Sequence, residues 1–189
     1  MYKEYFTIIK ASSDAFSFSI KLRYDRIVNM KKQLPMHTVS AAGFIINDNK
    51  LLIVHNPLKG WETPGGIIQE GESVLEGLKR EVFEEVRLDV NVLELSSVMS
   101  VVNKQKGYNG VDEIQPLIVF DFICTTHDTN IFLSEEHDDF MWIEIDKAKE
   151  IMKKDMIARF ECMMNKEIDF LKVNKFSTVT VLEHNKLGG

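Results

Sequence analysis

Gly66 to Leu88 reads GIIQEGESVLEGLKREVFEEVRL, and these 23 residues decide how the rest of the chain is read. Their second half has the period of a helix: Val74, Leu75, Leu78, Val82 and Val86 recur at three- and four-residue intervals and mark an apolar stripe. Ser73 stands where an N-cap belongs and Glu76 follows three residues later, the capping-box arrangement. The spacing therefore predicts a helix from about Val74 to Val86. Arg80, Glu81, Glu84 and Glu85 fall within that helix, and positions 81, 84 and 85 are related by i, i+3 and i+4. Three carboxylates thus share one side, opposite the apolar stripe. Like charges so placed repel by a few tenths of a kcal/mol per pair. Solvent with basic neighbours relieves that repulsion, and so does a bound hard cation.

Taken alone, an acidic helix face is ordinary solvated surface. The residues just upstream tip the balance. Glu72 precedes the helix, and Pro64 leads into Gly65-Gly66. Without side chains, the carbonyls of a Gly-Gly segment can be approached closely and make natural oxygen ligands. A set of oxygen donors only selects Mg²⁺ or Mn²⁺ rather than zinc.

The stretch resembles the Nudix box, Gly-x5-Glu-x7-Arg-Glu-U-x-Glu-Glu-x-Gly-U, where U is a bulky aliphatic residue. Gly66, Glu72, Arg80, Glu81, Val82, Glu84, Glu85 and Leu88 match eight of its nine defined positions, and Trp61-x-x-Pro-Gly-Gly66 leads into it. The departure is Arg87, which stands where the family has the glycine that ends the helix. A side chain at that place costs on the order of 1 kcal/mol, and a cation at a helix C-terminus offsets part of it. The resemblance implies an α/β (α+β) domain, an α/β/α sandwich with a mixed β-sheet. It implies that Glu81, Glu84 and Glu85, with the carbonyl of Gly66, hold Mg²⁺ (Mn²⁺ in its place), while Arg80 holds Glu72 and steers the carboxylates. It also implies a pyrophosphohydrolase in which water attacks phosphorus in a nucleoside triphosphate, a nucleotide sugar or a dinucleotide. Glu135 and Glu136, before the strand containing Trp142, are the candidates for a further ligand or base, Glu136 foremost. His55 and His137 read as polar surface or core-edge residues rather than ligands.

Outward from the box, Val39–Ile46, the turn Asn47-Asp-Asn-Lys50 and Leu51–Val54 form a hairpin pattern. Strands are expected near 92–102, 113–124 and 139–145. A second helical region is expected over 146–172, its methionines filling core. The loop 103–112 carries two lysines and Tyr108, which suit phosphate contacts and base stacking or an ordinary turn. This divides the chain into an N-terminal extension 1–36, a Nudix domain 37–175 and a tail 176–189. The extension mixes strand-like and helix-like patterns, and its apolar residues Phe6, Phe16 and Phe18 suit a dimer contact or a substrate cover.

The chain has 189 residues, a size that fits one domain, with a net charge of −6 that makes nucleic acid a poor partner. A small phosphorylated substrate remains compatible, because a bound cation inverts the local potential. Cys124 and Cys162, 38 positions apart, show no zinc-site pairing and read as buried free thiols of a reducing cytoplasm. Charges at Lys3, Glu4, Lys10 and Asp14 interrupt any signal-like apolar run, and no apolar run is long enough for a bilayer. Two other classes compete. An isoprenoid diphosphate isomerase would need a catalytic cysteine and glutamate, and neither cysteine has a fitting motif. A non-catalytic Nudix-fold nucleotide-binding module or regulator usually loses box carboxylates, and this chain keeps them all.

Overall fold

The structure, a computed structural model, describes residues 35–107, 110–166, 168–173 and 183–186. The expectations for the segment 1–34, including a dimer contact or substrate cover, lie outside the described residues, as does the tail 176–189 apart from residues 183–186. Met36–Gly189 forms one compact unit.

The hairpin comes first: β1 (Thr38–Asn47) turns into β2 (Lys50–Asn56), with Asn47 opposite Lys50. Asp48 and Asn49 take φ of 46° and 60°, as the central residues of such a tight turn must. The two strands stay paired only at this end, where Ile46 faces Leu51. Beyond it they part, and the following loop fills the fork. β3 (Gly60–Glu62) pairs with β2, and β4 (Gly65–Ile67) pairs with β1. The segment around Trp61 and Gly66 is therefore two short strands bridged by Thr63 and Pro64.

After the helix α1 (Val74–Val86) come β5 (Asn91–Val101), a two-stranded ribbon of β6 (Gln105–Lys106) and β7 (Glu113–Ile114), then β8 (Leu117–Thr125). The strand expected over 113–124 is split before Pro116, which has no N–H to continue a ladder, although its carbonyl accepts from Thr38 at 2.9 Å. β9 (Asp139–Glu144) leads into a 3-10 turn (Ile145–Glu150) and α2 (Lys154–Asn165). β10 (Asp169–Val173) and β11 (Glu183–Lys186) end the described chain. The helix expected over 146–172 is thus shorter. It stops where Lys166 enters the left-handed region at φ 53°, and Leu171 and Val173 alternate into the core of a strand.

Among the described residues, nine strands make one mixed sheet with the path β11-β10-β5-β8-β1-β2-β3, β4 beside β1 and β9 beside β2. β8 runs parallel to β1 and antiparallel to β5. Side chains alternate across it. Ala41, Ile45, Leu52 and Val54 meet Leu78, Val82 and Val86 of α1 on one face. Phe44, Leu51 and Ile53 meet Met156, Phe160 and Met163 of α2 on the other. This is the expected α/β/α sandwich with a mixed sheet. Cys124 and Cys162 are both buried. Among the described residues no helix is long and apolar enough to cross a membrane.

Candidate active site

α1 begins as its sequence dictates. Ser73 accepts from the N–H of Glu76, the Glu76 carboxylate accepts from the N–H of Ser73 at 2.8 Å, and both orphan donors are satisfied. The helix buries Gly77, Leu78, Val82 and Val86. Leu75, expected in the stripe, is exposed instead. At the far end Arg87 takes φ 60° and ψ 29°, the left-handed geometry for which the family uses glycine. Its N–H donates to the carbonyl of Phe83 at 3.0 Å, and its guanidinium lies 5.2 Å from the Phe83 ring centre. The helix exit is therefore preserved, with a cation near the C-terminal carbonyls and a cation–π contact offsetting the side-chain cost.

Glu81, Glu84 and Glu85 project from one side of α1, and of these Glu81 and Glu85 reach the glycines of β4. Arg80 gathers the first two with Glu72. Its Nε donates to Glu72 at 2.5 Å, and its Nη1 donates to Glu81 at 2.8 Å and Glu84 at 3.1 Å. Nη2 donates to Glu72 at 2.9 Å and to the carbonyl of Ile67 at 3.1 Å. One guanidinium thereby ties α1 to the segment before it. The Arg80 hydrogen bonds hold the Glu72 carboxyl down at about 2. Glu85 is placed differently. It accepts from the N–H of Gly65 at 2.9 Å, and burial pushes its pKa up to about 7. Burial likewise raises Glu81.

The glycines make this approach possible. Gly65 sits at φ 149°, and a side chain there would collide with the Ala41 carbonyl and the Ala42 backbone. A side chain on Gly66 would collide with the Glu81 carboxylate. The Gly65-Gly66 part of β4 is therefore a side-chain-free rail pressed against β1, and the Glu81 carboxylate occupies the space above Gly66. The Gly66 carbonyl, one of the expected metal ligands, accepts from Ser40 Oγ at 2.8 Å.

Glu136 joins this acidic cleft, lining it with Glu81, Glu85 and Gly66, whereas Glu135 does not. His137 was not anticipated there. Its side chain is only 1% exposed, and its Nε2 lies 3.7 Å from Glu62 and 4.0 Å from Glu85 without a hydrogen bond. Burial opposes its protonated form, but Glu62 and Glu85 outweigh it and raise its pKa. The only sequence signal was its position beside Glu136. His55 bonds Asp138 at 2.6 Å, lies 5.1 Å from the Trp61 ring centre, and does not line the cleft.

The donor chemistry fits a hard divalent cation: carboxylates of Glu81, Glu84, Glu85 and Glu136 plus a backbone carbonyl, all oxygen. Among the described residues, no three acidic, histidine or cysteine side chains already surround one point. Arg80 and the Gly65 N–H take up their charge.

Beside the cleft, on the α2 face, lies a cavity of about 720 Å³. The two share Lys59, Gly65, Gly66, Ile67 and Ile114 as walls. Trp61, Thr63, Met156 and Arg159 line the cavity further in. From the loop 103–112, Gln105 and Lys106 reach it, while Lys104 pairs with Glu113 at 2.5 Å, and Tyr108 lies outside the described residues.

A carboxylate-bearing helix laid over a glycine strand in a mixed-sheet sandwich defines a class, and comparison with known proteins agrees. The NUDIX domain profile matches residues 36–161, well over half of the chain. The chain belongs to the Nudix family. It is 41% identical over 66 residues to a MutT-like protein of Streptomyces ambofaciens, covering 34% of this chain and 43% of that one. It is 28% identical over 109 residues to the asymmetrical bis(5'-nucleosyl)-tetraphosphatase of Sus scrofa, covering 57% and 72%. The chain thus spans less than half the length of the first relative. In fold it resembles the MutT protein of Bacillus halodurans, with a TM-score of 0.62, 22% identity, and coverage of 79% and 97%.

Proposed function

We propose that this chain is a pyrophosphohydrolase of Nudix type, cleaving a diphosphate linkage in a nucleoside diphosphate derivative with a divalent cation. The observation that carries this reading is the complete set Glu72, Arg80, Glu81, Glu84 and Glu85, with the Glu81 carboxylate lying over Gly66, next to a cavity large enough for a nucleoside. The pig relative, whose name states a bis-nucleosyl polyphosphate substrate, supports a nucleotide. The isomerase reading loses support from Cys124, whose thiol burial pushes up to about 12.

Glu81, Glu84 and Glu85, with the Gly66 carbonyl, would hold Mg²⁺ or Mn²⁺. Bound there, the cation supplies charge neutralisation on the diphosphate oxygens and lowers the pKa of the attacking water. Arg80 positions Glu81 and Glu84 through a guanidinium that Glu72 keeps in place. Glu136, at the open side of the cleft, would take the proton from the water. Lys59, on the wall common to cleft and cavity, would meet the phosphate chain as it passes into the cavity. The reading includes a cytoplasmic setting, for which two buried reduced thiols are the support.

The test is release of phosphate-containing fragments from nucleoside triphosphates, nucleotide sugars and dinucleotides with Mg²⁺. Replacing Glu84 with glutamine is expected to lower kcat by about a thousand-fold, the several kcal/mol that metal-held charge stabilisation is worth. Weakened Mn²⁺ binding in the same variant, read by electron paramagnetic resonance, checks the ligand role separately. Absence of metal-dependent turnover across the whole panel would favour a nucleotide-binding module instead.

A further inference from the structure

The cavity beside the carboxylate cleft carries a second arginine–carboxylate assembly unrelated to the motif. Asp121 on β8 is fully buried, and the Arg159 side chain on α2 is 8% exposed. Arg159 Nε donates to both Asp121 oxygens, at 3.1 and 2.9 Å, and Nη2 donates to Oδ1. Ser97 on β5 donates to Oδ2 at 2.6 Å and completes the clamp. Three elements thus fix one guanidinium. Such an assembly is weak as a stabilising device, since apolar residues of equal volume serve as well or better. What it does achieve is orientation. A guanidinium has five N–H donors, and the clamp engages Nε and Nη2. Nη1 makes no hydrogen bond among the described residues and is not among the buried unpaired atoms, and Arg159 lines the cavity. Its uncommitted donors therefore open into that space.

The surroundings decide what they would meet. The walls are the Trp61 ring with Ala42, Leu117, Val119 and Met156, a lining suited to a flat aromatic group. Besides Asp121, the charges of Glu62 and Asp155 reach the guanidinium, and both line the cavity. Three carboxylates around one cation disfavour a phosphate at that spot and favour a neutral edge bearing acceptors. The exposed Lys106, Lys153 and Lys154 stand on the same cavity and leave the phosphate chain to its rim. Asp155, four residues before Arg159 and so on the same helix face, adds an acceptor beside these donors.

We infer that Arg159, held by Asp121 and Ser97, is a specificity-determining residue that selects a nucleobase with two adjacent acceptors on one edge. N7 and O6 of a 6-oxopurine form such a pair, and Asp155 would take the neighbouring N1–H. Adenine presents an amino donor where O6 would be, directed at a group that can only donate. This rests on the hydrolase reading above and narrows it to substrates carrying guanine or hypoxanthine.

The experiment measures kcat/KM with Mg²⁺ on triphosphates and dinucleoside polyphosphates carrying guanine, hypoxanthine, 7-deazaguanine or adenine. The native chain is expected to prefer guanine and hypoxanthine over adenine by roughly ten- to a hundred-fold, the worth of a bidentate arginine contact. 7-Deazaguanine, which lacks the N7 acceptor, is expected to lose about ten-fold, and this arm needs no altered protein. Arg159→Lys keeps the charge beside Asp121 but lacks the fork. It is expected to reduce the preference to under about three-fold while a thermal melt shows it folded. Equal turnover of all four bases by the native chain overturns this inference and leaves the hydrolase reading standing. So does an undiminished preference in folded Arg159→Lys. Turnover of none of them overturns both.

Discussion

Two arginines organise carboxylates on opposite faces of one sheet, and they do so in contrasting ways. Arg80 gathers Glu72, Glu81 and Glu84, none more than eight residues away, on a helix that opens to solvent. Arg159 holds Asp121 across 38 residues, with the carboxylate fully buried. The first assembly is local, so its spacing is written in the chain and a fixed pattern reveals it. The second exists only because β8 and α2 pack together, and no spacing between positions 121 and 159 announces it. Local clusters are legible because the helix period dictates them. Distant clusters require the fold.

The sharpest way to break the comparison is to remove each arginine in turn. Arg159→Leu strands a fully buried Asp121 and is expected to lower the unfolding free energy by about 3–5 kcal/mol, measured by urea denaturation. Changing Asp121 and Arg159 together to leucine and methionine is expected to recover most of that loss. Arg80→Leu, by contrast, is expected to cost about 1 kcal/mol or less in stability, as partly exposed ion pairs do. Its effect falls on turnover instead, roughly ten- to a hundred-fold, the usual worth of a group that orients metal ligands. Comparable stability losses for the two arginines would erase the distinction.

A smaller effect comes from Glu85, the carboxylate of the local cluster that Arg80 does not reach. Its folded pKa of about 7 stands above the ordinary glutamate value of 4.5, with burial as the main cause. The folded state therefore binds this proton more tightly than the unfolded one. Its contribution to stability is complete below the unfolded pKa and is lost as pH rises through about 7. With chelator present, Glu85→Gln should flatten this slope and stabilise the protein above neutrality by an amount on the order of 2 kcal/mol. An unchanged pH dependence of the melting temperature would place the titration elsewhere. Smallest is Arg87→Gly. The left-handed geometry favours glycine by about 1 kcal/mol, and loss of the Phe83 contact returns part of it. The expected gain is a few tenths of a kcal/mol, seen as a slight rise in melting temperature.

The same division between local and distant information governs what the chain discloses unaided. Helix α1, its capping box and the hairpin at 47–50 lie where periodicity and turn residues put them. The six residues Gly66, Glu72, Arg80, Glu81, Glu84 and Glu85 form one neighbourhood, joined by Glu136. What escaped depends on tertiary partners. The helical pattern runs on past Asn165 in sequence, but β10 is drawn into the sheet by pairing with β5. Leu75 keeps the right period and still faces water. His137 and Arg159 enter the site region from remote segments, so only the assembled sheet puts them there.

The fork between β1 and β2 also sets how this molecule can vary. Thr63 and Pro64 are all that joins β3, registered on β2, to β4, registered on β1. One residue added between them would slide β4 by a position and turn the glycine rail over, taking Gly66 out from under the Glu81 carboxylate. Insertions at the exposed turn around Pro57 and Leu58 meet no such constraint. Evolution of this chain toward new substrates is therefore free to lengthen the loop at one end of the fork and barred from doing so at the other.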